Sequence, residues 1–218
     1  KTFQKEHNLT IFHLMGQHVN YKLRYRKEQA KFWASSYEEK RPELTTAQRK
    51  MLSHYDNATL YNDSIVAQIV KRFQKEDAVV IYVPDHGEEC YEEDRGFICR
   101  NHSANIDWPL AHYEFEIPFW IYCSPKYIRN HRDIYRQIRK AKDKRFMSDA
   151  LPHLLLYLAG IKTPTYKEEY NILSPKYNEM RPRILKNSAD YDQLRDEHLE
   201  KVEKEKSKKK KSKKGDKK

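Results

Sequence analysis

The chain has 218 residues, enough for one domain with a substantial apolar core. Charged residues make up 34% and hydrophobic residues 38%, and the formal net charge is +11. Nine lysines and one aspartate between residues 206 and 218 supply +8 of that charge, which leaves about +3 for the rest. This distribution excludes a uniformly basic nucleic-acid-binding protein. Sixteen tyrosines, eight phenylalanines and three tryptophans favour a folded body instead.

The sequence has no run of about 18 apolar residues and no signal-peptide pattern, so we expect this chain by itself to be soluble. It begins at Lys1 and enters an apolar segment within a few residues, which indicates a piece of a longer protein. We predict one folded portion over residues 1–195. Residues 196–218 are predicted to form a charged, Lys-rich disordered tail, because lysine and serine cannot bury enough apolar area to order it.

The first part of the chain predicts a strand, a helix and a second strand. Residues 8–14 are mostly apolar and predict a short buried strand, after which Gly16 permits a tight turn that exposes His18. Residues 46–75 predict an amphipathic helix, because apolar side chains recur every three or four residues. Residues 78–84 are typical of a strand buried on both faces of a parallel sheet. A right-handed crossover through the helix then brings both strand ends to the same side.

Asp85, His86 and Gly87 follow the second predicted strand, where open α/β sheets place their ligand crevice. A carboxylate oxygen beside an imidazole nitrogen suits zinc, or manganese if further carboxylates join. Gly87 allows the backbone to turn closely beneath an ion. The alternative interpretation is a strand end followed by a polar turn that binds nothing.

The loop after the Asp-His-Gly triplet is acidic, and an acidic run is usually solvated. We therefore expect Glu89, Glu92 and Glu93 to face water. Cys90 and Cys99 flank this loop, and a disulfide between them would clamp it in an oxidising compartment, with free thiols as the alternative.

The second half of the chain predicts one strand and two helices. An apolar run over residues 115–123 predicts the strand, and residues 131–142 predict a basic helix. Residues 146–159 predict an apolar helix, with Gly160 as its C-terminal cap.

These segments together resemble the alkaline phosphatase superfamily, and within it the lipid A phosphoethanolamine transferases and their sulfatase-like relatives. The residues that carry the resemblance are Asp85-His86-Gly87-Glu88, residues 9–18, His102 and residues 148–161, and the match spans roughly residues 9–192. The resemblance implies an α/β fold, a three-layer sandwich around a mostly parallel sheet, from which the N-terminal part is absent here.

The resemblance also implies roles for individual residues. Asp85 and His86 would bind zinc, with manganese or calcium as alternatives, and His18 and His102 would hold the phosphoryl group or a second metal. His112 is a competing candidate for the role of His102. The nucleophilic threonine and the remaining metal ligand are expected upstream, so no catalytic nucleophile is expected in this chain and it should be inactive alone.

The function implied is that of the C-terminal part of a phosphoethanolamine transferase, acting on lipid A or a related envelope glycan through a covalent phospho-threonine. Its partners would be a phosphatidylethanolamine-type donor, the missing catalytic half and a membrane domain. The catalytic part would face the periplasm from the inner membrane of a Gram-negative cell. The alternatives are a sulfatase or phosphodiesterase of the same superfamily, or a non-catalytic binder of anionic membranes or nucleic acid through the Lys-rich tail. No specific nucleic-acid partner is expected.

Overall fold

The computed structural model of the protein describes residues 8–101 and 105–215, and the chain divides into two compact units. The first unit comprises Lys1–Tyr82 and Trp120–Tyr177, and the second comprises Val83–Phe119 and Asn178–Lys218. In chain order the helices and strands are α1 (Thr46–Phe73), β1 (Val79–Tyr82), β2 (Glu89–Cys90), β3 (Ile98–Cys99), α2 (Trp108–Leu110), β4 (Trp120–Cys123), α3 (Pro125–Asn130), α4 (Arg132–Ala141), α5 (Leu151–Leu158), β5 (Ile184–Leu185), β6 (Ala189–Asp190) and α6 (Tyr191–Gly215). Short 3-10 helices span Tyr21–Leu23, Lys27–Gln29, Ala34–Tyr37, Glu92–Asp94, Ser148–Ala150 and Glu168–Tyr170, and a π-helical turn spans Ala111–Phe115.

Helix α1 in the first unit begins at a capping box. The Thr45 hydroxyl accepts a hydrogen bond from the Gln48 backbone N–H at 3.2 Å, and Gln48 Oε1 accepts one from the Thr45 N–H at 2.9 Å. The helix buries one face, which includes Leu52, Ala58 and Val66. The predicted amphipathic helix is therefore confirmed.

A buried asparagine on that face, Asn57, holds the loop that precedes α1. Its Oδ1 accepts hydrogen bonds from the backbone N–H groups of Lys31 at 2.6 Å and Phe32 at 3.1 Å, and its Nδ2 donates to the Phe32 carbonyl at 2.8 Å. Asn57 is only 2% exposed, so these bonds are shielded from water. Tyr21 is also buried on α1, where its ring lies edge-on to Tyr55 with centroids 5.2 Å apart.

We expect Asn57→Ala to lower the free energy of unfolding by about 2 kcal/mol, because two backbone donors and one backbone acceptor lose their partner in a buried place. Urea denaturation measures the change. Asn130→Ala is the matched control, since Asn130 makes one exposed hydrogen bond to Asp77 at 2.7 Å, and it should cost less than about 1 kcal/mol. Equal costs for the two variants would contradict the anchoring role of Asn57.

Strand β1 pairs with β4 in an antiparallel two-stranded sheet, with Val79 opposite Cys123 and Tyr82 opposite Trp120. The rings of Tyr82 and Trp120 stack at a centroid distance of 5.2 Å. Both predicted strands are confirmed in their positions. Strand β4 is shorter than predicted: the helical turn includes Phe115, and residues 116–119, among them Pro118 with no backbone N–H to donate, form no ladder.

The described strands differ from the prediction of a parallel sheet. The ladders β1–β4, β2–β3 and β5–β6 are all antiparallel. Residues 8–14, predicted as a buried strand, form no ladder with the described residues, and most of their side chains are exposed. That prediction is wrong for this chain: apolar residues form a buried strand only where a neighbouring strand pairs with their backbone.

Ser124 links the two-stranded sheet to α3. Its buried hydroxyl donates to the Glu76 carbonyl at 2.5 Å and accepts the N–H groups of Ala78 at 3.3 Å and Tyr127 at 3.0 Å. Ser124 is thus the N-cap of a helix that we did not predict, although Ser followed by Pro is a helix-start signal. The helices predicted further on are confirmed as α4 and α5, and Gly160 follows α5 at φ +66 as the expected cap.

The second unit has a core that contains Ala111, Leu185 and Tyr191, against which Ile106, Trp108, Phe115 and Leu194 pack. Arg183 donates two hydrogen bonds to Asp192 at 3.1 and 2.5 Å, and its guanidinium carbon lies 4.3 Å from the Tyr191 ring centroid. Helix α6 continues into the segment predicted as a disordered tail, and the disorder of that segment in solution stays a prediction. Among the described helices, none combines the length and the apolarity that crossing a membrane requires.

Candidate functional site

Asp85 and His86, referred to below as the Asp-His pair, lie close together in the loop that follows β1. The Nδ1 of His86 lies 2.7 Å from the Gly87 carbonyl oxygen. Because a carbonyl can only accept, this bond assigns the proton to Nδ1 and leaves the lone pair of the neutral ring on Nε2. That Nε2 lies 3.7 Å from Asp85 Oδ2. A lone pair and a carboxylate oxygen are thus presented side by side.

The Asp-His pair fits two ligands of one divalent cation. Two ligands, each about 2.1 Å from a tetrahedral zinc ion, lie about 3.4 Å apart. The observed separation of 3.7 Å is close to that value. The Asp85 side chain is 88% exposed and that of His86 19%, so a cation can approach from solvent. Among residues 8–101 and 105–215, no three His, Cys, Asp or Glu side chains are placed to hold a metal, and the role of the pair as metal ligands stays a prediction.

Gly87 packs this loop closely against the π-helical turn. Its N–H donates to the Glu114 carbonyl at 2.8 Å. A Cβ atom at Gly87 would lie 2.3 Å from the Tyr113 carbonyl oxygen, well inside van der Waals contact. The position therefore requires glycine for close backbone approach rather than for an unusual φ.

Glu89, predicted to be solvated, is completely buried, and this prediction is wrong. Its Oε2 accepts a hydrogen bond from Arg95 Nε at 2.8 Å, and Arg95 Nη1 donates to Asp107 Oδ2 at 2.9 Å. Burial raises the pKa of Glu89, and the Glu114 and Asp107 carboxylates raise it further, while Arg95 lowers it. The acidic composition of the loop suggested that Glu89 faces water. Composition does not show that an arginine six residues away forms an ion pair with this glutamate in the interior.

The raised pKa of Glu89 predicts a pH dependence of stability. The folded state holds this proton more tightly than the unfolded state, whose glutamate pKa is about 4.3. The Glu89 contribution is therefore most favourable below that pH and is lost as pH rises through the raised pKa. Guanidinium unfolding at several pH values should show a shallower loss of stability for Glu89→Gln than for the unsubstituted chain. Parallel curves for the two proteins would refute the assignment.

Glu114 connects two predicted site segments, a role that we did not infer from the sequence. It is 2% exposed; its Oε1 accepts the Asn101 N–H at 2.7 Å, and its backbone oxygen accepts the Gly87 N–H. The Asp-His pair and the residue preceding His102 are thus tied to one helical turn. The only sequence signal was an acidic residue within an aromatic-rich run.

His18 belongs to the first unit, whereas the Asp-His pair belongs to the second. His18 is exposed, and its Nδ1 lies 3.3 Å from the Val19 carbonyl oxygen. Arg24 stabilises this turn by donating to the carbonyl oxygens of His18 at 2.9 Å and Val19 at 3.1 Å. The role of His18 in holding a phosphoryl group or a second metal stays a prediction.

The predicted role of His102 also stays a prediction, because this residue lies outside the described residues. Its competitor His112 stacks on Trp108 with ring centroids 5.3 Å apart. The Nδ1 of His112 lies 2.9 Å from Glu116 Oε1. Both contacts are with neighbours in the same chain segment, and the role of His112 as the alternative to His102 stays a prediction.

The three cysteines are free thiols. Cys90 and Cys123 are buried, and Cys99 is half-buried. In the β2–β3 ladder Cys90 lies opposite Ile98 and Cys99 opposite Glu89, so the two thiols do not face each other. The structure therefore has the free-thiol alternative and not the Cys90–Cys99 disulfide.

A family model described as Sulfatase matches residues 2–161, more than half of the chain. The chain belongs to the sulfatase family. The resemblance to the sulfatase-like members of the alkaline phosphatase superfamily is thereby confirmed.

Two similar curated proteins are phosphoethanolamine transferases. Phosphoethanolamine transferase EptC of Escherichia coli O18:K1:H7 (strain RS218 / NMEC) is 33% identical over 194 residues, which cover 85% of this chain and 32% of the relative. Kdo(2)-lipid A phosphoethanolamine 7''-transferase of Escherichia coli (strain K12) is 30% identical over 139 residues, which cover 62% of this chain and 23% of the relative.

A similar solved structure is the C-terminal periplasmic domain of EptC from Escherichia coli in complex with Zn. It aligns with a TM-score of 0.65 and 28% identity over 82% of this chain and 50% of that chain. This likeness supports the predicted alkaline-phosphatase-like fold, without confirming the predicted three-layer arrangement around a parallel sheet. The chain spans about a third of the length of EptC and half of the solved domain.

Proposed function

We propose that this chain is the C-terminal part of the catalytic domain of a metal-dependent phosphoethanolamine transferase that modifies lipid A or a related envelope glycan. The observation that carries the proposal is the Asp-His pair, whose hydrogen-bonded imidazole presents Nε2 beside the Asp85 carboxylate. The names of the two relatives support phosphoethanolamine as the transferred group and lipid A as the acceptor. The zinc complex of the solved domain supports zinc as the metal.

In this proposal Asp85 and His86 hold zinc, with manganese or calcium as alternative ions. When bound, the cation lowers the pKa of a hydroxyl nucleophile and neutralises charge on the phosphoryl oxygens. The bond between phosphorus and the diacylglycerol oxygen of a phosphatidylethanolamine-type donor would break as a bond to a threonine oxygen forms, and diacylglycerol would leave with the proton that the threonine hydroxyl loses. An acceptor hydroxyl would then take the phosphoethanolamine group, and its proton would return to the threonine oxygen.

The nucleophilic threonine and the remaining metal ligands belong, in this proposal, to the part of the catalytic domain that the chain does not span. The isolated chain is therefore proposed to be inactive. His18 and His102 are proposed to contact the phosphoryl group or a second cation, in a three-layer fold with a mostly parallel sheet. The complete protein would act at the periplasmic face of an inner membrane.

Zinc titration tests the ligand assignment. We expect the chain to bind zinc weakly, and we expect Asp85→Ala and His86→Ala each to weaken binding at least about tenfold, because each removes one of two ligands. Isothermal titration calorimetry measures both affinities. Asp133→Ala, which removes a carboxylate that is 90% exposed and lies elsewhere in the chain, should leave the affinity unchanged. Nanomolar zinc affinity that survives Asp85→Ala would overturn the assignment.

A sulfatase or phosphodiesterase is the second candidate, and the description of the matching family model favours it. Binding to the zinc-loaded chain distinguishes the two classes. A transferase site should bind O-phosphoethanolamine, whose phosphoryl group carries two negative charges at neutral pH, more tightly than an alkyl sulfate, whose sulfate group carries one, because the second charge adds to the attraction of the cation. The reverse order would favour the sulfatase.

A further inference from the structure

Helix α6 changes its charge along its length. Residues 191–205 contain six acidic and three basic residues, whereas residues 206–214 contain seven lysines, two serines and no acidic residue. We call residues 206–214 the lysine segment. Lys206 and Lys208 at its beginning are exposed. One end of the helix therefore concentrates positive charge that no carboxylate within the segment neutralises.

The beginning of α6 is fixed to the core of the second unit. Tyr191 is 8% exposed, and the His198 ring stacks on Trp108 at a centroid distance of 5.2 Å. Beyond this stack most residues from 199 to 208 are exposed. Because a helix rises about 1.5 Å per residue, the lysine segment begins about 12 Å beyond His198. The helix thus carries its charged end away from the place where it is packed.

A short series of contacts connects α6 to the loop of the Asp-His pair. The Tyr191 hydroxyl donates a hydrogen bond to Glu116, which directly follows the π-helical turn. The Glu114 carbonyl on that turn accepts the Gly87 N–H at 2.8 Å. Both α6 and the Asp-His loop are therefore held by the same turn, so a surface that holds the helix also restrains the loop.

The composition of α6 indicates the chemistry of that surface. Residues 199–218 contain no arginine, phenylalanine, tyrosine or tryptophan. Nucleic-acid sites use aromatic stacking and the forked guanidinium, whereas lysine is a point charge that needs no particular geometry of the anion. The lysine segment also contains no apolar residue, so it suits attachment to a charged surface rather than insertion into hydrocarbon. These properties favour an anionic lipid headgroup region.

Repulsion within the lysine segment supports the same interpretation. Lysines recur four residues apart at positions 206, 210 and 214, and like charges at this spacing destabilise a helix. An anionic surface screens the repulsion and stabilises the helical form. We infer that the lysine segment is an electrostatic docking surface for an anionic phospholipid bilayer, which attaches the second unit, and with it the Asp-His loop, to the lipid surface. This inference goes beyond the proposed function and does not rest on it.

Vesicle co-sedimentation of the 218-residue chain tests the inference. The probe is phosphatidylcholine vesicles that contain phosphatidylglycerol, compared with vesicles of phosphatidylcholine alone. We expect at least about 30-fold tighter binding to the anionic vesicles, because each lysine near the surface contributes about fivefold. Raising NaCl from about 50 to about 500 mM should weaken binding at least about tenfold. On the vesicles, the backbone amides of residues 206–214 should exchange at least about tenfold more slowly.

Glutamine at four consecutive lysines should weaken vesicle binding by about 100-fold or more, and glutamine has nearly the helix propensity of lysine. The substitutions are Lys208→Gln, Lys209→Gln, Lys210→Gln and Lys211→Gln. A control variant removes the same charge from four exposed lysines of the first unit and should change the affinity by less than about threefold. Its substitutions are Lys40→Gln, Lys71→Gln, Lys75→Gln and Lys126→Gln.

Several results would overturn the inference. One is equal binding to neutral and anionic vesicles, and another is an equal loss of affinity in the two fourfold variants. Tighter binding to double-stranded DNA than to anionic vesicles, at the same salt and the same concentration of accessible phosphate, would assign the lysine segment to nucleic acid instead. Zinc affinity of the Asp-His pair is a separate measurement, so failure of lipid docking and failure of the proposed function are distinguishable.

Discussion

Gly87→Ala is expected to lower zinc affinity at least about tenfold and to destabilise the second unit by about 3 kcal/mol. The new methyl carbon would lie 2.3 Å from the Tyr113 carbonyl oxygen, and a backbone atom cannot rotate away as a side chain can. Relief requires the loop to lift, which breaks the Gly87 N–H bond to Glu114 and moves His86. Calorimetric zinc titration and urea denaturation measure the two effects.

Gly96→Ala provides the control for this prediction. Gly96 has φ +67 and no atom within 4 Å of a hypothetical Cβ, so alanine there carries only the cost of the left-handed conformation, about 1 kcal/mol. It should leave zinc binding as it was. If Gly87→Ala lowers neither zinc affinity nor stability more than Gly96→Ala does, the close approach of Gly87 to the Tyr113 carbonyl does not position the Asp-His pair.

Arg95→Met is expected to destabilise the second unit by about 3 kcal/mol at pH 7. Methionine replaces the stem of the arginine but leaves the buried Glu89 carboxylate without its cation. The cost should shrink as the pH falls, because Glu89 already has a raised pKa and protonation removes the buried charge. Guanidinium unfolding at pH 5 and pH 7 measures both quantities.

The comparison variant is Arg136→Met. Arg136 pairs with Asp133 at 2.9 Å on an exposed helix face, where an ion pair contributes about 0.5 kcal/mol or less. We expect little change at either pH. A cost for Arg95→Met that is equally small, or that does not vary with pH, would argue against the buried ion pair.

Helix α1 and strand β1 could be predicted because their signals are local. The apolar stripe of α1 and its Thr45–Gln48 capping box lie within the helix and its cap, and β1 is a continuous apolar run. The Asp-His pair was equally accessible, because its place directly after that run is a matter of chain order. These features need no knowledge of distant residues.

Residues 8–14 and Glu89 could not be predicted for the opposite reason. Whether an apolar segment becomes a strand depends on a neighbour, which the described chain does not supply for residues 8–14. Whether a glutamate is buried depends on a cation such as Arg95, and composition alone does not reveal the pairing. Glu114 is the extreme case, since its role rests on contacts to Gly87 and Asn101, 27 and 13 residues away.

The rate at which the buried Cys123 thiol is alkylated can report local opening of the first unit. Burial raises the pKa of this thiol to about 11, so at neutral pH the reactive thiolate is scarce and the sulfur is out of reach of solvent. An alkylating reagent can modify it at an appreciable rate only during excursions that expose the sulfur. Peptide mapping of carbamidomethylated Cys123 over time would therefore report how often the structure around the end of β4 opens under native conditions.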